Sequence, residues 1–417
     1  MLDLKIIREE TEKVKTGLLK RISADHFNLE LIISLDDERR LLISQMENLK
    51  SERNQNSKVK PSPEIIVLMK KLGEEIKEIE EKLHEKEEKL NELLAELPNI
   101  PSEDVVAGDK ENNEVIYTYG KKPEFKFSPK NHVDLATSLN LIDYERAVKM
   151  SGSGFWCYTG VGALLEWALL CYFKDFHIKN GYQFLIPPFL LTEKSAYTSG
   201  HLPKFRDDLF WTQDKLCLNA TSEMMLGNYH REEILNVDQP LKYFAYSPCF
   251  RREAGSYRQE ERGMIRGHQF NKIEMFIFCQ PEETWKMFDE LTENAKKLVQ
   301  GLGLHFQVSK LAAGDCSAAM AKTYDLEVFI PSMEIYKEVS SISNALDYQA
   351  RRGQTRYKNN LNNKNEFVHT LNASGLATSR ILPAILEQNQ QVDGSVIIPE
   401  VLRPYMPNNM GVIKANK

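Results

Sequence analysis

Five arginines lie within one short stretch of the chain, "FRREAGSYRQEERGMIRGHQF" at residues 250–270. Arg251 follows an alternating apolar segment and Arg266 precedes another, which predicts a strand, a loop and a second strand. A guanidinium group is permanently charged and forks onto carboxylate or phosphate oxygens. Two arginines at the facing ends of neighbouring strands could bind one anion, whereas a surface hairpin of salt bridges is the simpler alternative.

Carboxylates and small residues accompany these arginines along the chain. Glu253 and Glu274 lie near the same two strands, where they suit an ammonium group or the edge of a base. In "EVSSIS", Glu338 and Ser341 are three residues apart, so both reach one Mg²⁺ only if the strand bends between them. "NASGLATSR" ends in Arg380 on a predicted helix, after small residues that permit close approach of a ligand. These segments favour a site for a nucleotide together with an amino acid.

A charged region with heptad spacing precedes these segments, from about residue 26 to 97. Apolar residues recur there at steps of three and four, and a polar, proline-bearing stretch, "NQNSKVKPSPE", divides the region in two. We therefore expect two long helices folded back as an antiparallel hairpin, with Arg39 and Lys86 interrupting the apolar seam. The seam consists of Ile32, Leu35, Leu42, Met46, Leu49, Ile65, Met69, Leu72, Ile76, Ile79, Leu83, Leu90, Leu93 and Leu97.

The turn end of this hairpin is locally basic on a chain whose net charge is −6. A charged coiled-coil end is most often a solvated surface, yet a basic tip also suits contact with a nucleic-acid backbone. The basic residues of this tip, which are the candidate RNA contacts, are Lys50, Arg53, Lys58, Lys60, Lys70 and Lys71.

The order of predicted elements after the hairpin indicates an α+β fold, in which helices flank a mainly antiparallel sheet. A polar linker with two prolines suggests an N-terminal domain at 1–108 and a second domain at 109–417. The six cysteines form no CxxC pair, so we expect reduced thiols and no zinc site. The charged N-terminus and the lack of a long apolar run predict a cytoplasmic protein.

Three segments resemble the motifs of class II aminoacyl-tRNA synthetases: motif 1 at about 161–188, motif 2 at about 244–275 and motif 3 at about 371–406. Motif 3, the hairpin and the "ELPNIP" junction are similar in detail to the seryl-tRNA synthetase family. This resemblance implies a coiled-coil arm that grips tRNA(Ser), and a homodimeric catalytic domain that uses ATP and Mg²⁺. Such an enzyme converts L-serine to seryl-adenylate and then charges tRNA(Ser), with tRNA(Sec) as a further candidate acceptor.

The resemblance also implies roles for individual residues. The expected serine-binding residues are Thr221, Ser222, Glu223, Arg251, Glu274, Asn372 and Ser374. The expected ATP-binding residues are Arg251, Arg252, Glu253, Arg266, Gly267, Phe270, Glu338, Val339, Ser340, Ser341 and Arg380, of which Glu338 and Ser341 would hold Mg²⁺. Glu274 would receive the serine ammonium, Arg251 would bridge the serine carboxylate and the α-phosphate, and Phe270 would stack on adenine.

Some positions depart from the family pattern, and alternatives to its function remain. Ser222, Gly267 and Ala373 are unusual, as is the motif 2 segment "SYRQEERG", which we expect to be part of a mobile loop. A resistance-type second copy of the synthetase, a relative that loads a carrier protein, and a non-enzymatic RNA-binding scaffold are the rival hypotheses. The complete hairpin argues against the carrier-protein enzyme, and the intact arginines argue against the scaffold.

Overall fold

The computed structural model describes residues 1–58, 60–253 and 263–414 of the chain. Most of the predicted mobile loop of motif 2, including "SYRQEER", lies outside the described residues. The chain divides into two compact units, Met1–Ile100 and Pro101–Lys417. The domain boundary that we predict from the sequence, at residue 108, lies somewhat later than this division.

The N-terminal unit is helical, and its two long helices form the antiparallel hairpin that the heptads predict. Its helices are α1 (Leu4–Glu9), α2 (Thr11–Leu19), α3 (Leu29–Asn56) and α4 (Pro63–Glu96). The side chain of Asn28 accepts a hydrogen bond from the Leu31 amide at the start of α3, and Ser62 does the same for Ile65 at the start of α4. Pro63 occupies the first turn of α4, where a missing amide hydrogen costs nothing.

The two interruptions of the apolar seam are ion pairs between the helices. Arg39 on α3 lies 3.7 Å from Glu87 on α4, and Lys86 on α4 lies 2.5 Å from Glu38 on α3. Each long basic side chain thus finds a carboxylate on the opposite helix, so the hairpin continues through both positions. At the end of α4 the buried residue is Leu94, whereas the predicted seam residue Leu93 is only half-buried.

The second unit is built on strands with helices around them. Its helices are α5 (His132–Ser138), α6 (Tyr144–Ser151), α7 (Gly160–Lys179), α8 (Glu193–Thr198), α9 (Glu223–Leu226), α10 (Thr284–Gly301), α11 (Tyr348–Gly353) and α12 (Thr378–Gln388). Its strands are β1 (Glu114–Tyr119), β2 (Ile142–Asp143), β3 (Cys157–Tyr158), β4 (Gln183–Leu185), β5 (Leu190–Thr192), β6 (Leu216–Leu218), β7 (Ile234–Leu235), β8 (Leu241–Phe250), β9 (Gln269–Cys279), β10 (Phe306–Lys310), β11 (Lys322–Ile330), β12 (Ile335–Leu346), β13 (Arg356–Lys358), β14 (Asn365–Phe367), β15 (His369–Ala377), β16 (Val396–Ile397) and β17 (Val412–Ile413).

The main sheet has eight strands in the order β1-β10-β11-β12-β15-β9-β8-β4. Every neighbouring pair is antiparallel except β4 and β8, which confirms the predicted α+β class and its mainly antiparallel sheet. Among the residues that the structure describes, no helix is long and apolar enough to cross a lipid bilayer.

Side chains alternate between the two faces of the central strands, and this alternation separates the core from the site. On β9, Ile273 and Met275 enter the large apolar core, which also contains residues of α7, α10 and α12. Lys272 and Glu274 therefore project from the other face, because successive residues of a strand point in opposite directions. On β15, Ala373 packs in the core while Ser374 lines a cavity on the Glu274 face.

Candidate active site

A cavity of about 390 Å³ lies on the face of the sheet that carries Glu274. The ends of β8 and β9, the middle of β12 and β15, and the segment 199–223 form its walls. The following predicted site residues line it: Thr221, Glu223, Arg251, Glu253, Arg266, Glu274, Glu338, Ser341, Asn372, Ser374 and Arg380. An adjoining pocket is lined in addition by Gly267, Phe270 and Val339. Residues spread over more than 150 positions thus face a single space.

Arg251 lies immediately after β8, at the centre of this arrangement. Its guanidinium lies over the ring of Phe270, 5.2 Å from the centroid, and its Nε donates to the carbonyl of Ala220 at 3.4 Å. Because Arg251 is the first residue beyond the strand, its side chain can reach both the cavity and the adjoining pocket. The rest of its donor fork is suited to an anion between these two spaces.

Lys272 and Glu274 form a buried ion pair on β9, and the sequence motifs do not single out Lys272. The Lys272 ammonium also donates to the Thr221 hydroxyl at 2.7 Å, and that hydroxyl donates to Glu274 Oε2 at 3.2 Å. Ser374 is the direct cross-strand neighbour of Glu274 and donates to the same oxygen at 3.5 Å. Strand alternation gives the one signal that could have identified Lys272, since it places Lys272 on the face of Glu274.

Glu223 is a second carboxylate at this end of the cavity. Its Oε1 accepts hydrogen bonds from Gln349 Nε2 at 2.7 Å and from Asn372 Nδ2 at 3.1 Å. Burial and the nearby carboxylate of Glu274 raise the pKa of Glu223 to about 7. A carboxyl group with this pKa changes its charge readily when a cation or an anion enters the cavity.

Glu253 and Arg266 form an ion pair at the opposite end. Arg266 Nε donates to Glu253 Oε2 at 2.7 Å, and both side chains are partly shielded from solvent. The neighbouring Gly267 explains one departure from the family pattern. A Cβ atom there would lie 2.2 Å from the Trp156 ring and 2.7 Å from the Gly154 carbonyl oxygen, so a side chain cannot be accommodated without movement.

Glu338 and Ser341 line the same cavity although they are three residues apart in the chain. The pairing of β11 with β12 shifts register at this point, because Leu326 pairs with Ser340 while Glu327 pairs with Glu338. Val339 is therefore the extra residue of a β-bulge. In a regular strand, residues three apart point to opposite faces of the sheet. The extra residue of the bulge brings Glu338 and Ser341 to the same face, where both side chains line the cavity.

The surroundings of these two residues fit a divalent cation. Asp325 is the cross-strand partner of Ser341, and its buried Oδ1 atom has no hydrogen-bond partner in the described part of the chain. Burial and the charge of Glu338 raise the pKa of Asp325 well above its usual range. Although burial acts in the opposite direction, Arg380 and Arg251 hold the pKa of Glu338 below its usual value. A hard cation with oxygen ligands would balance two carboxylates so placed.

Three expected site residues do not line either space with their side chains. Ser222 is fully buried and its hydroxyl lies 2.8 Å from that of Ser247, so its side chain does not face the cavity. Ser340 is also buried and donates to the Ser374 carbonyl at 2.6 Å, because the bulge turns it away from the cavity. Arg252 is exposed, and its backbone amide donates to the carbonyl of Asp208.

The basic residues of the hairpin are divided between paired and unpaired positions. Lys50 lies 2.8 Å from Glu80 on the facing helix, and Lys70 and Lys71 lie near carboxylates one turn further along α4. Arg53, in the last turn of α3, and Lys58, just after this helix, form no ion pair with any residue in the described ranges, and neither does Lys60. Their charges are therefore available to an anionic partner.

The mainly antiparallel eight-stranded sheet, with arginines beside the ends of β8 and β9 and carboxylates on β9 and β12 around one cavity, is the catalytic core of a class II aminoacyl-tRNA synthetase. The profile described as "tRNA synthetase class II core domain (G, H, P, S and T)" matches residues 205–389, and that of the "Seryl-tRNA synthetase N-terminal domain" matches residues 1–101. The chain belongs to the seryl-tRNA synthetase family.

Individual relatives agree with this assignment over the full length. "Serine--tRNA ligase 2" of Clostridium acetobutylicum is 53% identical, with 97% of this chain and 99% of the relative covered. The solved seryl-tRNA synthetase of Pyrococcus horikoshii, complexed with ATP, superposes with a TM-score of 0.93 at 34% identity and covers 100% of both chains. The cytoplasmic serine-tRNA ligase of Naegleria fowleri, in complex with AMP, gives a TM-score of 0.88 at 31% identity, covering 100% of this chain and 99% of the other.

Proposed function

We propose that this chain activates L-serine with ATP and then esterifies the 3′ end of tRNA(Ser), with tRNA(Sec) as a second acceptor. The observation that carries the proposal is the convergence of Arg251, Glu274, Ser374 and Glu338 on one cavity. ATP as a substrate is supported by the Pyrococcus horikoshii relative, which was solved with ATP. The site therefore joins an amino-acid end to a nucleotide end.

In the first step, a serine carboxylate oxygen attacks the α-phosphorus of ATP, and the bond to pyrophosphate breaks. Two anions must approach each other, so neutralising and aligning them provides most of the catalysis, and no covalent protein nucleophile is needed. Arg251 can donate to both reacting groups from its position between the two spaces. Arg266 and Arg380 would bind the departing phosphates.

The amino-acid end is formed by the cluster around Glu274. We infer that the serine ammonium binds Glu274 and Thr221, where it competes with Lys272 for the carboxylate. The hydroxyl would contact Ser374 and Asn372, which project from the same face of β15. A pocket that hydrogen-bonds a hydroxyl rejects alanine strongly, because its own polar groups would otherwise lose their partners.

The nucleotide end is formed by the adjoining pocket. The ring of Phe270 would stack on adenine, and Glu253 would accept a hydrogen bond from the amino group of the base. Gly267 would let the base approach the backbone, because it has no side chain. Arg252 and the backbone of Val339 and Ser340 remain proposed contacts of ATP. Binding of ATP would require Arg266 to exchange its bond with Glu253 for bonds with phosphate oxygens.

Mg²⁺ would be held by Glu338 and Ser341, with Asp325 behind them. When bound, such an ion offsets the negative charge that develops on the departing pyrophosphate. The chain's own contribution is to hold the two oxygens on one face of β12 through the bulge at Val339. Arg380 orients Glu338, since it donates to the Glu338 carbonyl at 2.8 Å and lies 3.3 Å from its carboxylate.

We also infer that the hairpin tip contacts the tRNA backbone, as the family resemblance implies. The support is three cations of the tip, Arg53, Lys58 and Lys60, which form no ion pair within the described ranges. Replacing these three by alanine should weaken tRNA binding. The slope of the logarithm of the binding constant against the logarithm of the salt concentration should become shallower by about three at most, one for each lost phosphate contact. Serine-dependent ATP–pyrophosphate exchange should be unchanged. Charging at the wild-type rate and salt dependence would remove the tip from the interface.

A homodimer is the proposed assembly, and the exposed apolar side of α7 supports it. Leu164, Trp167 and Ile178 follow one side of this helix, and Trp167 is 61% exposed. Ile186, just beyond β4, is 73% exposed. Large exposed apolar surfaces of this kind are typical of protein interfaces. Sedimentation should give twice the chain mass, and Trp167→Glu should shift it towards the monomer.

Two assays separate this function from its rivals. Serine-dependent ATP–pyrophosphate exchange distinguishes an enzyme from an RNA-binding scaffold. Charging of a panel of purified tRNAs distinguishes a tRNA ligase from an enzyme that loads a carrier protein. We expect serine-dependent exchange and charging of tRNA(Ser). We also propose that the protein acts in the cytoplasm, where translation takes place. Exchange without charging would favour the carrier-protein enzyme.

A further inference from the structure

His201 lines the same cavity as Arg251 and Glu274, and the mechanism above assigns it no role. It lies shortly after α8, in the segment that forms the wall facing the sheet. Its ring lies 6.2 Å from that of Phe205, measured between centroids. Its backbone is fixed as well, since its amide donates to the Ala196 carbonyl at 3.0 Å.

The contacts of the Ser199 hydroxyl favour one tautomer of the His201 ring. The Ser199 hydroxyl has one hydrogen, which it donates to the Ala196 carbonyl at 3.1 Å. His201 Nδ1 lies 3.0 Å from the same hydroxyl oxygen, and in the tautomer that lets both contacts form together Nδ1 donates to it. Nε2 is then the unprotonated nitrogen, and it has no hydrogen-bond partner among the residues described.

The charges around His201 keep its ring neutral. Burial lowers the pKa of His201 to about 3, and the cations Arg251, Lys272 and Arg352 act in the same direction. Nε2 is thus an uncharged acceptor at any physiological pH. An ammonium group is disfavoured beside these cations, whereas a neutral hydroxyl donor suits the position.

A chain of hydrogen bonds connects His201 to the amino-acid end of the cavity. Gln349 Nε2 donates to the Ser199 carbonyl at 2.9 Å and to Glu223 Oε1 at 2.7 Å. Asn372 donates to that same Glu223 oxygen at 3.1 Å. The position of His201 is therefore coupled to the residues expected around the serine side chain.

One oxygen of each carboxylate at this end is engaged already. Glu274 is paired with Lys272, and Glu223 Oε1 accepts the two amide donors. A bound serine hydroxyl needs an acceptor for its hydrogen as well as donors to its oxygen. His201 Nε2 is a neutral acceptor in the same cavity that meets this requirement.

We propose that His201 Nε2 accepts a hydrogen bond from the hydroxyl of the substrate serine and so helps to select a hydroxy amino acid. This inference rests on the proposed function. It makes His201 a specificity residue of the activation step, and it assigns no proton transfer to the ring.

The test compares His201→Phe, which keeps a ring but lacks the acceptor, with His201→Gln, which keeps an amide oxygen. In serine-dependent ATP–pyrophosphate exchange, His201→Phe should raise the KM for serine about tenfold and leave the KM for ATP unchanged, as the loss of one neutral hydrogen bond predicts. His201→Gln should stay within about threefold of the wild type. His201→Met serves in place of the phenylalanine variant if that variant does not fold.

Two outcomes would overturn the inference. Equal increases in the KM for serine and for ATP would indicate a structural role only. Unchanged exchange with slower single-turnover transfer of serine to tRNA would assign Nε2 to a ribose hydroxyl of the tRNA end. Lack of serine-dependent exchange by the wild type would instead refute the proposed function, so the two failures are distinguishable.

Discussion

Replacing Arg251 by alanine removes a guanidinium that lines both the amino-acid and the nucleotide spaces. In the described structure its side chain donates to the Ala220 carbonyl and lies over the Phe270 ring. These contacts are weak, since the hydrogen bond is long at 3.4 Å. We therefore expect the Arg251→Ala protein to fold, with a melting temperature close to that of the wild type.

The expected effect on catalysis is much larger than the effect on stability. Arg251 is proposed to donate to two anions, and each charge-assisted hydrogen bond contributes roughly 1.5–3 kcal/mol. Loss of both corresponds to about 3–6 kcal/mol in the transition state, or a fall of roughly 10²–10⁴-fold in kcat/KM. Arg251→Lys retains the charge without the fork, so it should fall between the alanine variant and the wild type.

Serine-dependent ATP–pyrophosphate exchange measures this loss directly. Arg146→Ala is the matched control, because Arg146 is an exposed arginine of α6 that pairs with Asp143 and does not line the cavity. The control should exchange at the wild-type rate. If Arg251→Ala also exchanges within tenfold of the wild type, Arg251 does not bridge the reacting groups and the proposed mechanism is wrong.

Three further predictions concern stability. Burial raises the pKa of Glu166 to about 7 from 4.5, so its ionisation opposes folding, and wild-type stability falls as pH rises from about 4.5 to 7. Unfolding in urea at pH 8 should show Glu166→Gln to be more stable by up to about 3 kcal/mol, an advantage absent at pH 4. Gly267→Ala should lower stability by about 1–3 kcal/mol, because its Cβ would meet the Gly154 carbonyl, and a melting temperature equal to that of the wild type would contradict this. Lys272→Met leaves the buried Glu274 carboxylate without its partner and should cost about 3–5 kcal/mol. The double variant with Glu274→Leu should recover much of that loss in the same urea experiment, and no recovery would show that the pair is not the cause.

The elements of the fold could be predicted from the sequence because their signals are local. Heptad spacing marks α3 and α4, and alternating apolar residues mark β8, β9, β11 and β12. The permanent charge of arginine likewise identified Arg251 and Arg266 as anion-binding candidates before any geometry was known. Each of these inferences depends on residues close together in the chain and on their intrinsic chemistry.

The sequence did not predict which way each side chain points, nor which other side chain it contacts. Ser222 is adjacent to Thr221, yet its hydroxyl is bonded to Ser247 on β8 rather than facing the cavity. Lys272 became part of the site only through its pairing with Glu274, and the contact between His201 Nδ1 and the Ser199 hydroxyl is visible only in the folded chain. Residue type and spacing thus establish which groups are present and which elements carry them. The register between distant strands, including the bulge at Val339, establishes which of those groups meet, because it depends on packing between segments that are far apart in the chain.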